Sequence, residues 1–201
     1  MIDKSLSLTL IEDFETLTHG DLPDKGWESR NGSPKGSYKI DLEGSNHYLA
    51  AKDTGRSIQV FRKGGWDIAK EPWLKWSWRV KEFPKGADES NPKKNDSAAA
   101  IYVVFPRRFF VPEAIKYVWS QVVASETILM KSKKFPAIVV RTGTEMKEKW
   151  VDELRNVAED YKKLFGRNPP DPVAIGFLTD ADAVKGSAKA DYDNVRVDAK
   201  K

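Results

Sequence analysis

Three aspartates lie beside apolar, strand-like segments, at positions where loops commonly carry chemistry. Asp96 ends a polar loop directly before an apolar run, and Asp180 and Asp182 follow another apolar segment in the motif Thr-Asp-Ala-Asp. Carboxylates bind polar ligands, and pairs of them catalyse glycoside hydrolysis. Asp96 with Asp180 or Asp182 is therefore a candidate acidic site, for binding or for a glycan hydrolase or lyase in which Arg141 neutralises a substrate acid.

A second set contains polar and aromatic residues inside otherwise apolar segments. Arg79, Gln121 and Arg141 could line one outward sheet face, flanked by Tyr102 and Trp119. Guanidinium groups bind carboxylates through paired hydrogen bonds, and flat rings stack on the apolar faces of sugars. These residues predict a binding surface for a sugar or an acidic glycan. The alternative is that each arginine points to solvent on an ordinary exterior face.

Tryptophan is abundant, with seven residues in a chain of 201. Trp66, Trp73 and Trp119 are candidates for an exposed aromatic platform. Trp76 and Trp78 share one face of an alternating segment with apolar neighbours and are predicted to lie in the core.

Several chemistries are disfavoured by what the sequence lacks. It has no cysteine and only two histidines, His19 and His47, which argues against a zinc site. It has neither a Gly-x-Ser-x-Gly motif nor a phosphate-binding loop. The net charge of +4 comes from 34 basic and 30 acidic residues that are scattered along the chain, which disfavours a nucleic-acid partner. No apolar run approaches the ~20 residues of a membrane-spanning helix, so membrane insertion is not expected.

Alternation with a period of two dominates the chain and predicts strands. The clearest covers 73–80, where Leu74, Trp76, Trp78 and Val80 share one face. The other predicted strands are 7–14, 37–42, 47–51, 57–62, 98–105, 114–123, 137–142, 173–179 and 192–197.

One segment has helical spacing instead. Between Lys149 and Phe165 the apolar residues recur at intervals of three and four, and Gly166 supplies a C-terminal stop. Arg155 and Asp160 are predicted to anchor this helix to the sheets. Many strands with one late helix predict an all-β fold, a two-sheet antiparallel sandwich of jelly-roll type with one inserted helix near 149–165, in which 1–201 form a single domain.

Several motifs occur together in a shared order between Glu12 and Val197. They are Pro-Trp-Leu-Lys-Trp-Ser-Trp-Arg-Val at 72–80, Ile-Tyr-Val-Val-Phe-Pro at 101–106, Ile-Lys-Tyr-Val-Trp-Ser at 115–120, Arg-Asn-Val at 155–157 with Asp-Tyr at 160–161, Phe-Gly at 165–166 and Thr-Asp-Ala-Asp at 179–182. In these motifs the chain resembles the bacterial family known as domain of unknown function 3047. It departs from that pattern at Asn95-Asp96, where similar members carry two acids.

This resemblance implies the sandwich fold and assigns no activity. It also implies a periplasmic or secreted protein whose leader has been removed. The first residues, Met-Ile-Asp-Lys, lack the profile of a signal peptide, so a cytoplasmic location stays open.

A looser resemblance joins the two ends of the chain. Residues 11–15 and 190–195 are similar to the terminal strands of carbohydrate-binding jelly rolls, in which the first and last strands lie side by side and acids from both often hold a structural calcium. The resemblance implies such a site, since Ca²⁺ takes hard oxygen ligands. The candidate ligands are Glu12, Asp13, Glu15, Asp191 and Asp193, with backbone carbonyls. The alternative is that these acids are solvated and pair with lysines.

Taken together, the residues favour a non-catalytic, exported domain that binds a glycan or another polar envelope ligand. A glycan hydrolase or lyase and a structural envelope protein are the alternatives, so the assignment as an enzyme stays open. The sequence does not predict an oligomeric state.

Overall fold

The computed structural model describes residues 9–107, 111–130 and 132–199. Their backbone forms a series of short strands and one late helix. The strands are β1 (Thr9–Glu12), β2 (Gly20–Asp21), β3 (Trp27–Arg30), β4 (Tyr38–Glu43), β5 (Asn46–Asp53), β6 (Gln59–Lys63), β7 (Trp73–Glu82), β8 (Ala99–Phe105), β9 (Glu113–Ser120), β10 (Ile128–Leu129), β11 (Ala137–Thr142), β12 (Val151–Asn156), β13 (Ala174–Leu178) and β14 (Ala188–Asp198), and the helix is α1 (Val157–Phe165).

The strands form two sheets that pack face to face, which confirms the predicted sandwich. The first sheet has the order β12-β7-β14-β5-β4-β2, with β1 also paired to β14. The second has the order β10-β11-β9-β8-β13-β6-β3. Among the described strands, β9 and β11 are the parallel pair, because the segment between them returns to the start of β9 before β11 begins. The first predicted strand began at Ser7, which lies with Leu8 outside the described residues.

The core is built by aromatic side chains from the centres of both sheets. Trp76 and Trp78 of β7 are 1% and 0% exposed, as their alternation predicts. Trp76 stacks on Tyr117 of β9 at 5.5 Å between ring centroids, and Trp78 lies 5.8 Å from Trp119 of the same strand. These contacts join the two sheets, and each buried ring stabilises the fold by several kcal/mol, at about 25 cal/mol per Å² of apolar surface removed from water.

The inserted helix is shorter than predicted, and the first part of the 149–165 segment is strand. Val151 to Asn156 form β12, which pairs antiparallel with β7 in the register Val151↔Trp78. The helix starts only after Asn156, whose side-chain oxygen accepts a hydrogen bond from the Glu159 amide at 3.1 Å. It ends at Gly166 in the left-handed conformation, φ 70°. The pairing prevails over helical spacing because the edge of β7 offers unpaired backbone groups to this segment.

The helix is held to the sandwich by buried polar contacts, and here Arg155 lies on β12 rather than on the helix. Its guanidinium contacts both carboxylate oxygens of Asp160, at 3.0 and 2.8 Å. The Tyr117 hydroxyl donates to Asp160 at 2.9 Å. The Tyr161 hydroxyl donates to Glu113 at 2.9 Å. Arg155 and Asp160 therefore anchor the helix to β12 through direct contact between their side chains. Among the described residues, no helix has both the length and the apolar character needed to cross a membrane.

Candidate functional site

A row of neighbouring residues crosses the outer face of the second sheet. Phe61 of β6 and Tyr102 of β8 both lie opposite Gly176 of β13, and Tyr102 also lies opposite Lys116 of β9. Residues directly opposite in a ladder point to the same side of a sheet. Because the next residue along β13, Phe177, is 0% exposed and belongs to the core, this row faces outward.

Gly176 is the residue that lets the two aromatic rings of the row approach each other. A Cβ atom added at Gly176 would lie 2.5 Å from Cε1 of Phe61 and 3.2 Å from Cβ of Tyr102. The ring of Phe61 therefore occupies the space above the glycine and lies 6.2 Å from the Tyr102 ring, centroid to centroid. A glycine inside a strand commonly marks such a close approach.

These two rings form part of the floor of a groove of about 870 Å³. Its volume lies in the range of about 300–1,000 Å³ that is typical of small-ligand sites. Val104, Ala114 and Ala174 extend the apolar floor, and Phe135 stands at its side with 38% of its surface exposed. The remaining lining residues are Glu28, Ser29, Arg30, Gln59, Lys63, Pro112 and Val173.

Cationic groups flank the rings. The Arg30 guanidinium lies 5.4 Å from the centroid of Phe61, and the Lys116 ammonium lies 5.8 Å from the centroid of Tyr102. Lys63 forms an exposed ion pair with Glu28 at 2.5 Å. The groove thus combines apolar rings with charged hydrogen-bonding groups at its rim.

Next to Lys116, three of the predicted acids come together. Asp96, Asp180 and Asp182 each place a carboxylate oxygen within 4.8 Å of the others. Asp96 accepts hydrogen bonds from the amides of Ala183 and Val184, at 3.1 and 2.8 Å, so the loop before β8 is fastened to the loop after β13. The structure therefore brings these three predicted acids together.

Within the described part of the chain, Asp180 differs from the other two acids in having a buried oxygen without a partner. It is 7% exposed, and its Oδ1 atom has no hydrogen-bond partner among the described residues. Burial raises the pKa of Asp180 to about 7; Lys116 opposes this shift, and the neighbouring Asp182 and Asp96 add to it. Three carboxylates this close repel one another, so the cluster has an affinity for positive charge.

Lys116 connects the groove to the acid cluster. Its ammonium donates to the Ser97 hydroxyl at 3.0 Å, and the Ser97 carbonyl accepts from the Asp180 amide at 3.0 Å. Burial acts to lower the pKa of Lys116, but Tyr102, Asp180 and Glu89 outweigh it and the pKa lies above its ordinary value. Lys116 is therefore a charged group placed between the Tyr102 ring and the acids.

Trp119 is not an exposed platform, which corrects the prediction. It is 0% exposed and packs between Trp78 and Phe83 in the core. On β9 the outward residues are Lys116 and its alternate neighbours, so Trp119 points inward. Trp66 is also buried, at 6% exposed, and its indole N–H donates to the Glu71 carbonyl at 3.0 Å.

The arginines do not share one face, which corrects a second prediction. Arg79 lies on the outer face of the first sheet, where it pairs with Asp191 at 2.8 Å and lies 4.6 Å above the Trp150 ring. Arg141 belongs to the second sheet and pairs at 2.5 Å with Glu153, which belongs to the first, so this pair links the two sheets. The sheets separate the two arginines.

Gln121 is exposed and follows the end of β9, so it lies outside the row that forms the groove. Of the predicted binding residues, Tyr102, Asp96, Asp180 and Asp182 are the ones that the structure brings together with Lys116. Phe61, Gly176, Arg30 and Lys116 were missed. Lys116 is the one charge inside the apolar run 114–119, and Gly176 is a glycine inside a strand pattern; both signals could have marked this face.

The terminal strands pair as the looser resemblance implies, with Thr9 opposite Val197. The five acids proposed there for calcium do not gather into one group. Glu12 pairs with Arg62 at 2.8 Å. Asp191 pairs with Arg79 and with Lys81, at 2.8 and 2.9 Å, so these two acids already have cationic partners.

The other terminal acids lie nearer to one another. Asp193 is buried and accepts from the Asn46 side chain at 2.9 Å, and Glu15 lies 3.3 Å from the His47 ring. Burial raises the pKa of Asp193 to about 6, and Glu15 and Asp13 add to the shift, while hydrogen bonds from Asn46 and the Asn194 amide oppose it. In the described part of the chain, the group of three acids with ligand atoms within 4.8 Å is Asp96, Asp180 and Asp182.

Comparison with known proteins gives one family and several distant structures. A family model described as "Protein of unknown function (DUF3047)" matches residues 25–196. No curated protein matches the chain.

Three solved structures illustrate the distant similarities. A mutant of the carbohydrate-binding module CBM29-2 complexed with cellulohexaose has a TM-score of 0.46 and 10% identity, over 98% of this chain and 94% of that chain. The module CtCBM11, a solution structure, has a TM-score of 0.41 and 14% identity, over 100% and 99%. The cleaved adhesin domain of Lys-gingipain from Porphyromonas gingivalis has a TM-score of 0.40 and 13% identity, over 98% and 99%.

Proposed function

The chain belongs to the family described as Protein of unknown function (DUF3047), and we propose that this member is a glycan-binding β-sandwich module. The observation that carries the proposal is the aromatic pair Phe61 and Tyr102, brought together over Gly176 on the floor of an open groove. Sugar rings have apolar faces that stack on aromatic rings and hydroxyl groups that need polar partners. The groove supplies both.

The groove's rim suits a polar or acidic saccharide. Arg30 and Lys116 lie beside the two rings, and Gln59 adds an amide that can donate and accept hydrogen bonds. A guanidinium binds a carboxylate through two parallel hydrogen bonds. We therefore propose an oligosaccharide, with uronic acids or other acidic sugars as the favoured class.

The enzymatic alternative has weaker support. That alternative needs Arg141 to neutralise a substrate acid beside Asp96, Asp180 and Asp182, but Arg141 pairs with Glu153 instead. We propose binding without catalysis, in the periplasm or outside the cell, where envelope glycans are accessible.

Replacing Tyr102 or Phe61 with alanine is expected to lower affinity for the bound glycan at least tenfold, which is about 1.4 kcal/mol. The reason is the loss of one of the two rings on which the sugar stacks. A glycan array identifies the ligand, and isothermal titration with that oligosaccharide measures the change.

The matched control is Trp150→Ala, which removes a partly exposed ring that packs on Arg79 at the outer face of the first sheet and is expected to leave the affinity unchanged. Equal losses in all three variants would contradict the assignment to this groove. Product analysis of the same oligosaccharide after prolonged incubation tests catalysis, and the appearance of shorter or unsaturated products would replace the binding proposal with the enzymatic one.

Gly176→Ala is expected to weaken glycan binding by a similar factor without removing any ligand-contacting group. The added methyl group would force the Phe61 ring away from its position above β13. Because Phe61 lies on the surface and can turn, the free energy of unfolding is expected to change by less than about 1 kcal/mol. Titration calorimetry together with urea unfolding checks both parts, and retained affinity would show that the paired position of the rings is not needed.

A further inference from the structure

The acid cluster beside the groove carries more negative charge than the basic groups of the described residues neutralise. Asp96, Asp180 and Asp182 bring three carboxylates within 4.8 Å, and none of them forms a salt bridge within 4.0 Å to a described lysine or arginine. Lys116 acts on Asp180 from farther away, and its single charge does not balance three acids. Elsewhere in the described chain, buried acids such as Asp191, Asp160 and Glu113 do have such partners. Asp53, Glu89 and Asp193 are also buried without an ion pair to a described residue, and each is hydrogen-bonded instead. The cluster differs from them in bringing three carboxylates together.

The buried member of the cluster gives a second and independent observation. Asp180 is 7% exposed, yet its Oδ1 atom is buried without a hydrogen-bond partner among the described residues. Burying a carboxylate oxygen without a partner is strongly unfavourable, and buried charges are normally paired or coordinate metals. Asp191 also has a buried oxygen without a described partner, but its other oxygen is held by Arg79 and Lys81. Asp180 instead lies next to two more carboxylates, and such surroundings favour a bound cation.

We propose that Asp96, Asp180 and Asp182 form a binding site for one divalent cation, with Ca²⁺ as the preferred ion. All three ligands are hard oxygens, and hard oxygen sets select Ca²⁺ or Mg²⁺ over softer metals. Three protein carboxylates from two loops suit Ca²⁺, which accepts flexible sets of protein oxygens. Mg²⁺ usually binds through one or two carboxylates and keeps several of its waters.

A cation at this site would link two loops next to the groove. Asp96 belongs to the loop that precedes β8, and Asp180 and Asp182 belong to the loop that follows β13. Both loops stand at the end of strands that form the groove floor. One cation bound by both loops would fix them relative to each other, and it stabilises the folded state because the unfolded chain does not assemble the three ligands.

The test is thermal unfolding of the full chain after EDTA treatment, with CaCl₂ or MgCl₂ titrated back. Saturating Ca²⁺ is expected to raise the unfolding midpoint by about 5 °C or more, and Mg²⁺ by less. Titration calorimetry with CaCl₂ is expected to give one site per chain. No shift and no binding heat with Ca²⁺ would overturn the proposal and leave a cluster that holds a proton instead.

Variants locate the site. Asp182→Asn is the informative change, because Asp182 is exposed and its replacement keeps the hydrogen bonds from backbone amides to Asp96 and from the Asp180 amide to the Ser97 carbonyl. It is expected to abolish the Ca²⁺ shift, whereas Asp13→Asn at the terminal strands and the exposed Asp21→Asn are expected to retain it. A shift that survives Asp182→Asn, or one that Asp13→Asn removes, would overturn the assignment to this cluster. These outcomes do not depend on glycan binding, so failure here leaves the proposed function standing.

Discussion

Replacing Asp160 with alanine is expected to lower the free energy of unfolding by about 3–5 kcal/mol, because it leaves a largely buried arginine charge without its main partner. Arg155 has 18% of its side chain exposed and contacts both carboxylate oxygens of Asp160. The Tyr117 hydroxyl in the core would lose its acceptor at the same time. Glu126 also contacts Arg155, but it is 60% exposed and is a weak substitute. Urea unfolding followed by tryptophan fluorescence measures the change.

Two further variants separate the charge from the packing. Asp160→Asn keeps an acceptor for Tyr117 and is expected to destabilise less than alanine. Combining Arg155→Met with Asp160→Ala is expected to be milder than the sum of the single changes, because removing both partners leaves no unpaired charge. The exposed Asp152→Ala on β12 serves as a control with an expected effect below about 1 kcal/mol. Additive effects in the double variant would contradict a direct pair.

The features that sequence could predict are those that alternation encodes directly. β7 alternates between half-buried and buried residues along almost its full length, so the interior position of Trp76 and Trp78 follows from the period of two. The same logic gave most of the strands and the sandwich. The short strands β2, β3 and β10 were missed, because two to four residues show too little alternation to be recognised.

The boundary between β12 and α1 shows where a local pattern is ambiguous. Apolar residues recur at intervals of three and four in 149–156, which fits a helix. The segment forms a strand because it pairs with the open edge of β7. A local signal did mark the true start of the helix. Asn156 followed by Glu159 is the arrangement of an N-cap with an acid three residues later, and the Asn156 side chain does cap the helix.

The sheet faces of Trp119 and Arg141 were predicted wrongly, because alternation in their strands does not show which residues point into the core. β9 is apolar on both faces, so alternation alone cannot tell which face lies in the core. In β11 the register shifts between Val139 and Arg141, and such an irregularity breaks the period of two. The acids that pair with the two arginines, Asp191 and Glu153, could be identified only from the way the strands and sheets are arranged.

The groove depends most strongly on tertiary structure. Phe61, Tyr102 and Gly176 come from distant parts of the chain and become neighbours because β13 lies between β6 and β8. That strand order is not encoded in any one segment. Tyr102 was predicted as a binding residue from the residues next to it in sequence. Its aromatic partner Phe61 and the glycine Gly176 lie in segments whose sequences look like those of ordinary core strands.

Asp193→Asn is expected to change how stability depends on pH, with the largest effect between pH 4.5 and 7. The pKa of Asp193 is raised to about 6 in the folded protein from an ordinary value of 3.8. A raised carboxyl pKa means that the stabilising contribution is fully present below the unfolded pKa and is lost as the pH rises through the folded pKa. Relative to the variant, the wild type should therefore lose about 2 kcal/mol between these two pH values.

The comparison with the variant isolates Asp193 from the other acids. The groups that face it are Asn46 of β5, the Asn194 amide, and the carboxylates of Glu15 and Asp13, with His47 paired to Glu15. Urea unfolding of both proteins at pH 4.5, 5.5, 6.5 and 7.5, with EDTA present throughout, gives the difference in free energy at each pH. Asp152→Asn, an exposed acid of the same sheet, is expected to follow the wild type at every pH. A constant difference between wild type and Asp193→Asn would contradict the prediction, since burial of the charged carboxylate would then carry no penalty.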